Sequence, residues 1–178
     1  ARLARGVVWA ALVLGGALAV PLTLPLAPVG SPVWDITYRT NANFPEMIGW
    51  PELVHTIAGV YAGMPAAEQA HTAILAGNYG EVGALNLYGP AYGLPEAISG
   101  VNTSWYRGYG DPGPQAAIVV GIPRADLMSL FRTCAIAGQN TNAYGVQNEE
   151  SRHQSSIYLC REPRAGWAEL WPRLRTFQ

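Results

Sequence analysis

Lysine is absent from this chain, and charge of either sign is scarce. All eleven basic residues are Arg, twelve residues are acidic, and charged side chains make up 13% of the 178 residues, about half the roughly 25% usual for soluble domains. With a formal charge of −1 there is no basic footprint for a phosphate backbone, so nucleic acid is not an expected partner. The 49% hydrophobic content argues against disorder, and the thin charge argues against an ordinary cytosolic surface. Part of this chain is expected to lie out of water. The length supports one globular core and little more. The chain opens on Ala rather than Met, and is therefore expected to belong to something longer.

Other absences narrow the chemistry. The three histidines, His55, His71 and His153, lie far apart and none has a second ligand at zinc spacing, so no metal is assigned. There is no G-x-S-x-G elbow, and no Cys placed with a His and an Asn, which leaves hydrolase chemistry without a sequence basis. No fixed-period repeat or low-complexity tract interrupts the chain.

What is present begins with VVWAALVLGGALAVPLTLPLAPV, residues 7–29. No residue between Arg5 and Asp35 is charged, and about 20 apolar residues in a helix cross a hydrocarbon core. The span is read as Val7 to about Leu24, with Pro21 a kink site and Pro25 and Pro28 marking the exit. Arg2 and Arg5 precede it and no basic residue follows before Arg39, so the positive-inside rule places the N-terminus in the cytoplasm and the bulk of the chain outside, with the lipid bilayer as partner. Two other readings stay open: a cleavable signal peptide using Ala17-Leu18-Ala19, and a buried core helix.

The remainder divides into an irregular connector at 30–50 and an α/β domain at 51–178, after a membrane segment at 1–29. Trp34, Tyr38 and Phe44 in the connector fit either the headgroup layer or packing against the domain. Leu53, Val54, Ile57, Val60 and Tyr61 recur at three and four, predicting a helix from Pro51 to about Tyr61; Ala66 to Ala70 adds a short helical turn. Strands are predicted at His71–Leu75, Ala97–Ser99 and Ala116–Gly121, with further apolar runs at Cys134–Ala137 and Ser156–Cys160. Helices are predicted at Glu81–Tyr88, Arg124–Arg132 and Trp167–Leu174. Strands alternating with helices predict a small three-layer α/β domain with a mainly parallel sheet.

Gly77, Gly80 and Gly83 sit between a predicted strand and a predicted helix, where amides can hold an anion. The spacing departs from the dinucleotide fingerprint and lacks the Lys-Ser/Thr of a phosphate loop, and Glu81 already places a carboxylate at the electropositive end. A tight structural turn and an anion site both remain readings of this segment. Glu149-Glu150 fit a cation or sugar hydroxyl as well as a solvated or capping role. Asn102, Trp105, Tyr106 and Tyr109 fit sugar stacking as well as closure of the sheet edge. The last helix, with Trp167, Trp171 and flanking arginines, fits anionic lipid or docking onto the sheet. Cys134 and Cys160 are open to pairing in an oxidising compartment, subject to a distance that sequence does not supply.

The blocks AGNYGEVGALNLYGPAYGLPEAISG and VNTSWYRG, followed by NAYGVQNEE, IYLC and GWAELWPRLR, resemble the C-terminal part of bacterial membrane glycosyltransferases of the GT-C class. These are relatives of the dolichyl-phosphate-mannose protein mannosyltransferases and of the aminoarabinose transferase. The resemblance covers nearly all of residues 7–178. It departs at one point: the family pattern has His before the Asn of the second block, where Val101 precedes Asn102 here. The resemblance implies transfer of a sugar from a polyprenyl-phosphate donor to an acceptor on the outer face of the membrane, with Val7–Leu24 the last of several transmembrane helices of the same enzyme. The acidic catalytic residue of such enzymes lies in an early loop outside this sequence, so no catalytic residue and no cofactor is assigned, and the chain alone is expected to be inactive. Asn78, Tyr79, Glu81, Asn102 and Trp105 are the candidate substrate contacts. A self-sufficient membrane-anchored carbohydrate or envelope-binding module, and a soluble nucleotide-binding α/β protein, are the competing readings.

Overall fold

The structure, a computed structural model, describes residues 2–110 and 113–177. The chain divides into two compact units, Ala1–Ile48 and Gly49–Gln178.

The first unit is helical. α1, Arg2–Thr23, has 22 residues and buries none of them. At 1.5 Å per residue it is about 33 Å long, so it is long and apolar enough to cross a membrane. It runs through Pro21 and closes at Thr23, whose hydroxyl donates to the Ala19 carbonyl at 2.9 Å. The segment expected to be irregular forms two helices instead, α2 (Pro32–Thr40) and α3 (Asn43–Glu46). The cause is local. Ser31 accepts from the Trp34 amide as N-cap, and Pro32 follows at the first helical position, where its missing N–H and fixed φ suit a helix start. Asn41 then donates from Nδ2 to the Leu22 carbonyl at 2.9 Å, satisfying one of the acceptors left over at the end of α1. Trp34 and Phe44 are buried and meet edge to face at 5.5 Å, whereas Tyr38 is exposed.

The second unit is an α/β domain. In chain order it contains α4 (Trp50–Ala62), α5 (Ala66–Gln69), β1 (Thr72–Ala76), α6 (Tyr79–Tyr88) and β2 (Ile98–Ser99), then β3 (Ala116–Val120), α7 (Arg124–Leu130), β4 (Phe131–Gln139), α8 (Glu149–His153), β5 (Ser156–Pro163) and α9 (Trp167–Leu170). Single 3-10 turns at Gly89–Tyr92, Asn102–Arg107 and Trp171–Leu174 complete it. The five strands lie in the order β2-β1-β3-β5-β4.

The sheet is mixed, which corrects the mainly parallel sheet expected from the alternation of strands and helices. β1 pairs in parallel with β2 and β3, but β5 is antiparallel to both β3 and β4. A parallel pairing of consecutive strands needs a crossover element on the sheet face. The polar connection between β4 and β5 holds only the five-residue α8 and supplies none, so β5 folds back into the slot between β3 and β4.

Helices cover both faces. On one, α4 and α6 bury Leu53, Val54, Ile57, Val82 and Leu85 against Ile74, Ile118, Val120 and Ile157. On the other, α7, α9 and the last turn bury Leu127, Leu130, Trp167, Leu170 and Trp171 against Leu75, Ala117, Val119 and Tyr158. Alternate β3 side chains enter opposite cores, which is why AAIVV is apolar without a break. Cys134 and Cys160 stand opposite each other on β4 and β5 and form a disulfide, Cα–Cα 4.1 Å.

Candidate functional site

The chain leaves β1 through α6 to reach β2 on one side, while β3 lies on the other side of β1. Their carboxyl ends therefore flank a topological switch point, the position at which open α/β sheets form a crevice. Because β5 runs the other way, its N-terminal end reaches the same edge, and the polar segment 140–155 joins the turns after β1, β2 and β3 there.

At this edge Asn78 is the N-cap of α6. Its side chain accepts from the Glu81 amide at 2.8 Å, and the Glu81 carboxylate reaches back to accept through Oε2 from Gly77 N at 3.0 Å and Asn78 N at 3.2 Å. This is a complete capping box. The amides that the anion reading of this turn would use are thus already filled by the protein's own carboxylate, in line with the structural-turn reading. Glu81 is fully buried, and Oε1 has no hydrogen-bond partner among the described residues. Burial pushes its carboxyl up to about 7, against the opposing pull of the Gly77 and Asn78 amides, and the negative charge of Glu150 pushes the same way.

Two candidates that sequence treated separately come together here. Asn78 Nδ2 donates to Glu150 Oε1 at 3.4 Å across 72 residues. Glu150 is buried, while its neighbour Glu149 is exposed. Tyr79, the first residue of α6, is 66% exposed.

Two of the three glycines have packing reasons. A Cβ at Gly77 would strike the Gly121 carbonyl, and one at Gly80 would come within 2.7 Å of the Trp50 ring; Gly83 faces open space. Gly121, read in the sequence as the last residue of a strand and not as part of a site, lies just beyond the end of β3. It sits at φ +72, and a Cβ there would collide with the Glu81 carboxylate.

Asn102 and Trp105 lie apart from this cluster on the turn after β2. The Asn102 amide donates to the Thr176 carbonyl at 2.9 Å. Trp105 and Trp171 exchange indole N–H bonds to each other's carbonyls at 3.2 and 3.1 Å. The Arg175 guanidinium lies over the Trp105 ring at 4.5 Å, so one face that a sugar would stack upon is already covered. Tyr109 stacks on Trp167 at 5.8 Å; Tyr106 remains 67% exposed. Among the described residues no group of three or more His, Cys, Asp or Glu is placed to hold a metal.

Comparison of the chain with protein-family models, with curated proteins and with solved structures yields no match.

Proposed function

We propose that this chain is the C-terminal, extracytoplasmic part of a membrane glycosyltransferase of the GT-C class, which moves a sugar from a polyprenyl-phosphate donor to an acceptor outside the cytoplasm. The observation that carries the reading is the placement of the NYGE-to-WYRG block: α6 begins, and β2 ends and passes into its turn, at the same edge of the sheet where β1 ends. There Asn78 and Glu81 meet Glu150 of the NAYGVQNEE block, and Tyr79 is presented outward.

Three further features agree. α1 suits a last membrane helix whose N-terminal side, bearing Arg2 and Arg5, faces the cytoplasm. The Cys134–Cys160 disulfide suits an oxidising compartment. The buried Glu81 serves to brace the edge and leaves general-base work to a residue outside this sequence. In this reading the domain caps the transfer site or holds the acceptor, and partners the remaining transmembrane helices.

The test uses membranes containing the protein made from its natural reading frame, supplied with radiolabelled polyprenyl-phosphate sugars. Transfer of label that falls in a Tyr79→Ala variant supports the proposal. Absence of transfer from every donor, with retained binding to envelope glycans, would assign a membrane-anchored binding module instead. Release of the chain by carbonate washing would replace the anchor with a cleaved signal peptide.

A further inference from the structure

A cavity of about 360 Å³ opens at the carboxyl ends of β1, β2 and β3, within the size range of small-molecule sites. Gly77, Gly100 and Gly121 are among the residues that line it. Side chains are excluded from all three: at Gly100 a Cβ would strike the Leu174 carbonyl, as at Gly77 and Gly121 it would strike Gly121 and Glu81. Gly77 and Gly121 are half-buried there and Gly100 is buried, so no side chain from these three positions narrows the cavity. The walls are of two kinds. Ile122, Leu130 and Leu174 supply apolar surface, while Asp126 and Ser129 on α7 and Arg173 on the last turn supply polar groups.

The polar groups engage one another only in part: the Ser129 hydroxyl donates to the Asp126 backbone carbonyl at 2.7 Å, and the Asp126 carboxylate stays outside that bond. Among the described residues no ion pair joins Asp126 to Arg173, and Arg173 makes only a long 3.5 Å contact from Nη2 to Ser129 Oγ. A carboxylate that accepts, a guanidinium that donates and a hydroxyl oxygen with a lone pair left to accept, set around an apolar wall, match the hydroxyl rim and C–H face of a sugar ring. From this placement at the switch point we infer that the cavity is a subsite for a single sugar ring, with Asp126 and Arg173 gripping adjacent hydroxyls. Asp126 and Ser129 were not candidates in the sequence, and Arg173 figured there only among the arginines flanking the last helix. The choice of a sugar over another polar ring rests on the carbohydrate reading proposed above.

The whole chain in detergent micelles is titrated with the methyl glycosides of D-glucose, D-galactose, D-mannose and L-arabinose, with binding followed by saturation-transfer NMR. Glycine betaine and inorganic phosphate serve as competitors. At least one glycoside should bind, with affinity lowered about tenfold or more in Asp126→Asn and in Arg173→Gln, abolished in Ser129→Trp, and unchanged in Arg132→Gln on β4. Circular dichroism melts establish that each variant is folded. No glycoside binding, equal affinity in Asp126→Asn and Arg173→Gln, or displacement by betaine or phosphate overturns the inference. Glycoside binding without transfer in membranes leaves this subsite standing and removes the transferase; transfer without glycoside binding does the reverse.

Discussion

The Glu81 carboxylate occupies the space that a side chain at Gly121 would need. Glu81 lies in the first turn of α6 and Gly121 directly follows β3, so this contact locks the turn after β1 against the end of the strand beside it. Gly121 adopts φ +72 as well, and Gly93 does so at φ +70 with nothing within 4 Å. The two positions separate strain from collision. Gly93→Ala should cost about 1–2 kcal/mol, the left-handed penalty alone. Gly121→Ala should cost about 2 kcal/mol more, because the carboxylate must also be displaced. Urea unfolding followed by tryptophan fluorescence measures both, and equal losses would refute the contact.

Glu81 makes stability fall as pH rises. Its carboxyl titrates near 4.5 when unfolded and at about 7 when folded. Between these values the folded chain holds a proton that the unfolded chain has lost. The stabilisation is full below about pH 4.5, declines through the interval and is gone above about 7. The shift corresponds to about 3 kcal/mol. Glu68, held below the usual carboxylate range by its hydrogen bond from Arg161, acts in the opposite sense, losing stability as pH falls. The wild-type curve should therefore be compared with that of Glu81→Gln, which keeps an acceptor for the Gly77 and Asn78 amides. Their difference should slope between pH 4.5 and 7 and flatten outside; a difference independent of pH would contradict the assignment.

Asn78 caps α6 and also reaches Glu150. Asn78→Ala should cost about 1–2 kcal/mol, and Asn78→Ser, which retains a capping oxygen, should recover most of it. Thermal melts of the two variants decide whether the cap or the longer bond to Glu150 matters more.

The disulfide ties edge strand β4 to β5 over a separation of 26 residues. Reduction should cost about 3 kcal/mol on a loop-closure basis. Hydrogen exchange should quicken first in the β4 amides, since that strand is exposed along much of its length. Uniform exchange across the sheet after reduction would speak against β4 as the weakest strand.

Much of the local structure was legible because its causes are local. The apolar run after Arg5 forms α1, AAIVV forms β3, and the three-and-four spacing from Leu53 forms α4. β4 was harder to read. It starts at Phe131, where the predicted helix was still running, and extends to Gln139, because an exposed edge strand needs no buried face and so leaves little hydrophobic pattern. The connector was misread because Ser31-Pro32 begins a helix as readily as it begins a loop.

The site divides in the same way. Asn78 followed three residues later by Glu81 is a visible capping signature, and glycine density announces a tight turn. That Glu81 would be fully buried against Gly121, or that Glu150 would arrive beside it, depends on which strands become neighbours.

The amino-acid sequence alone determined a membrane-length helix, most of the helices and strands of one α/β domain, and a glycine-rich strand-to-helix junction, since each follows from neighbours a few residues apart. Tertiary structure decided the reversed β5, the pairing of Cys134 with Cys160, the cover on Trp105 and the cavity between Asp126 and Arg173. Those features arise from strand order and close packing, which bring together residues that the chain keeps far apart.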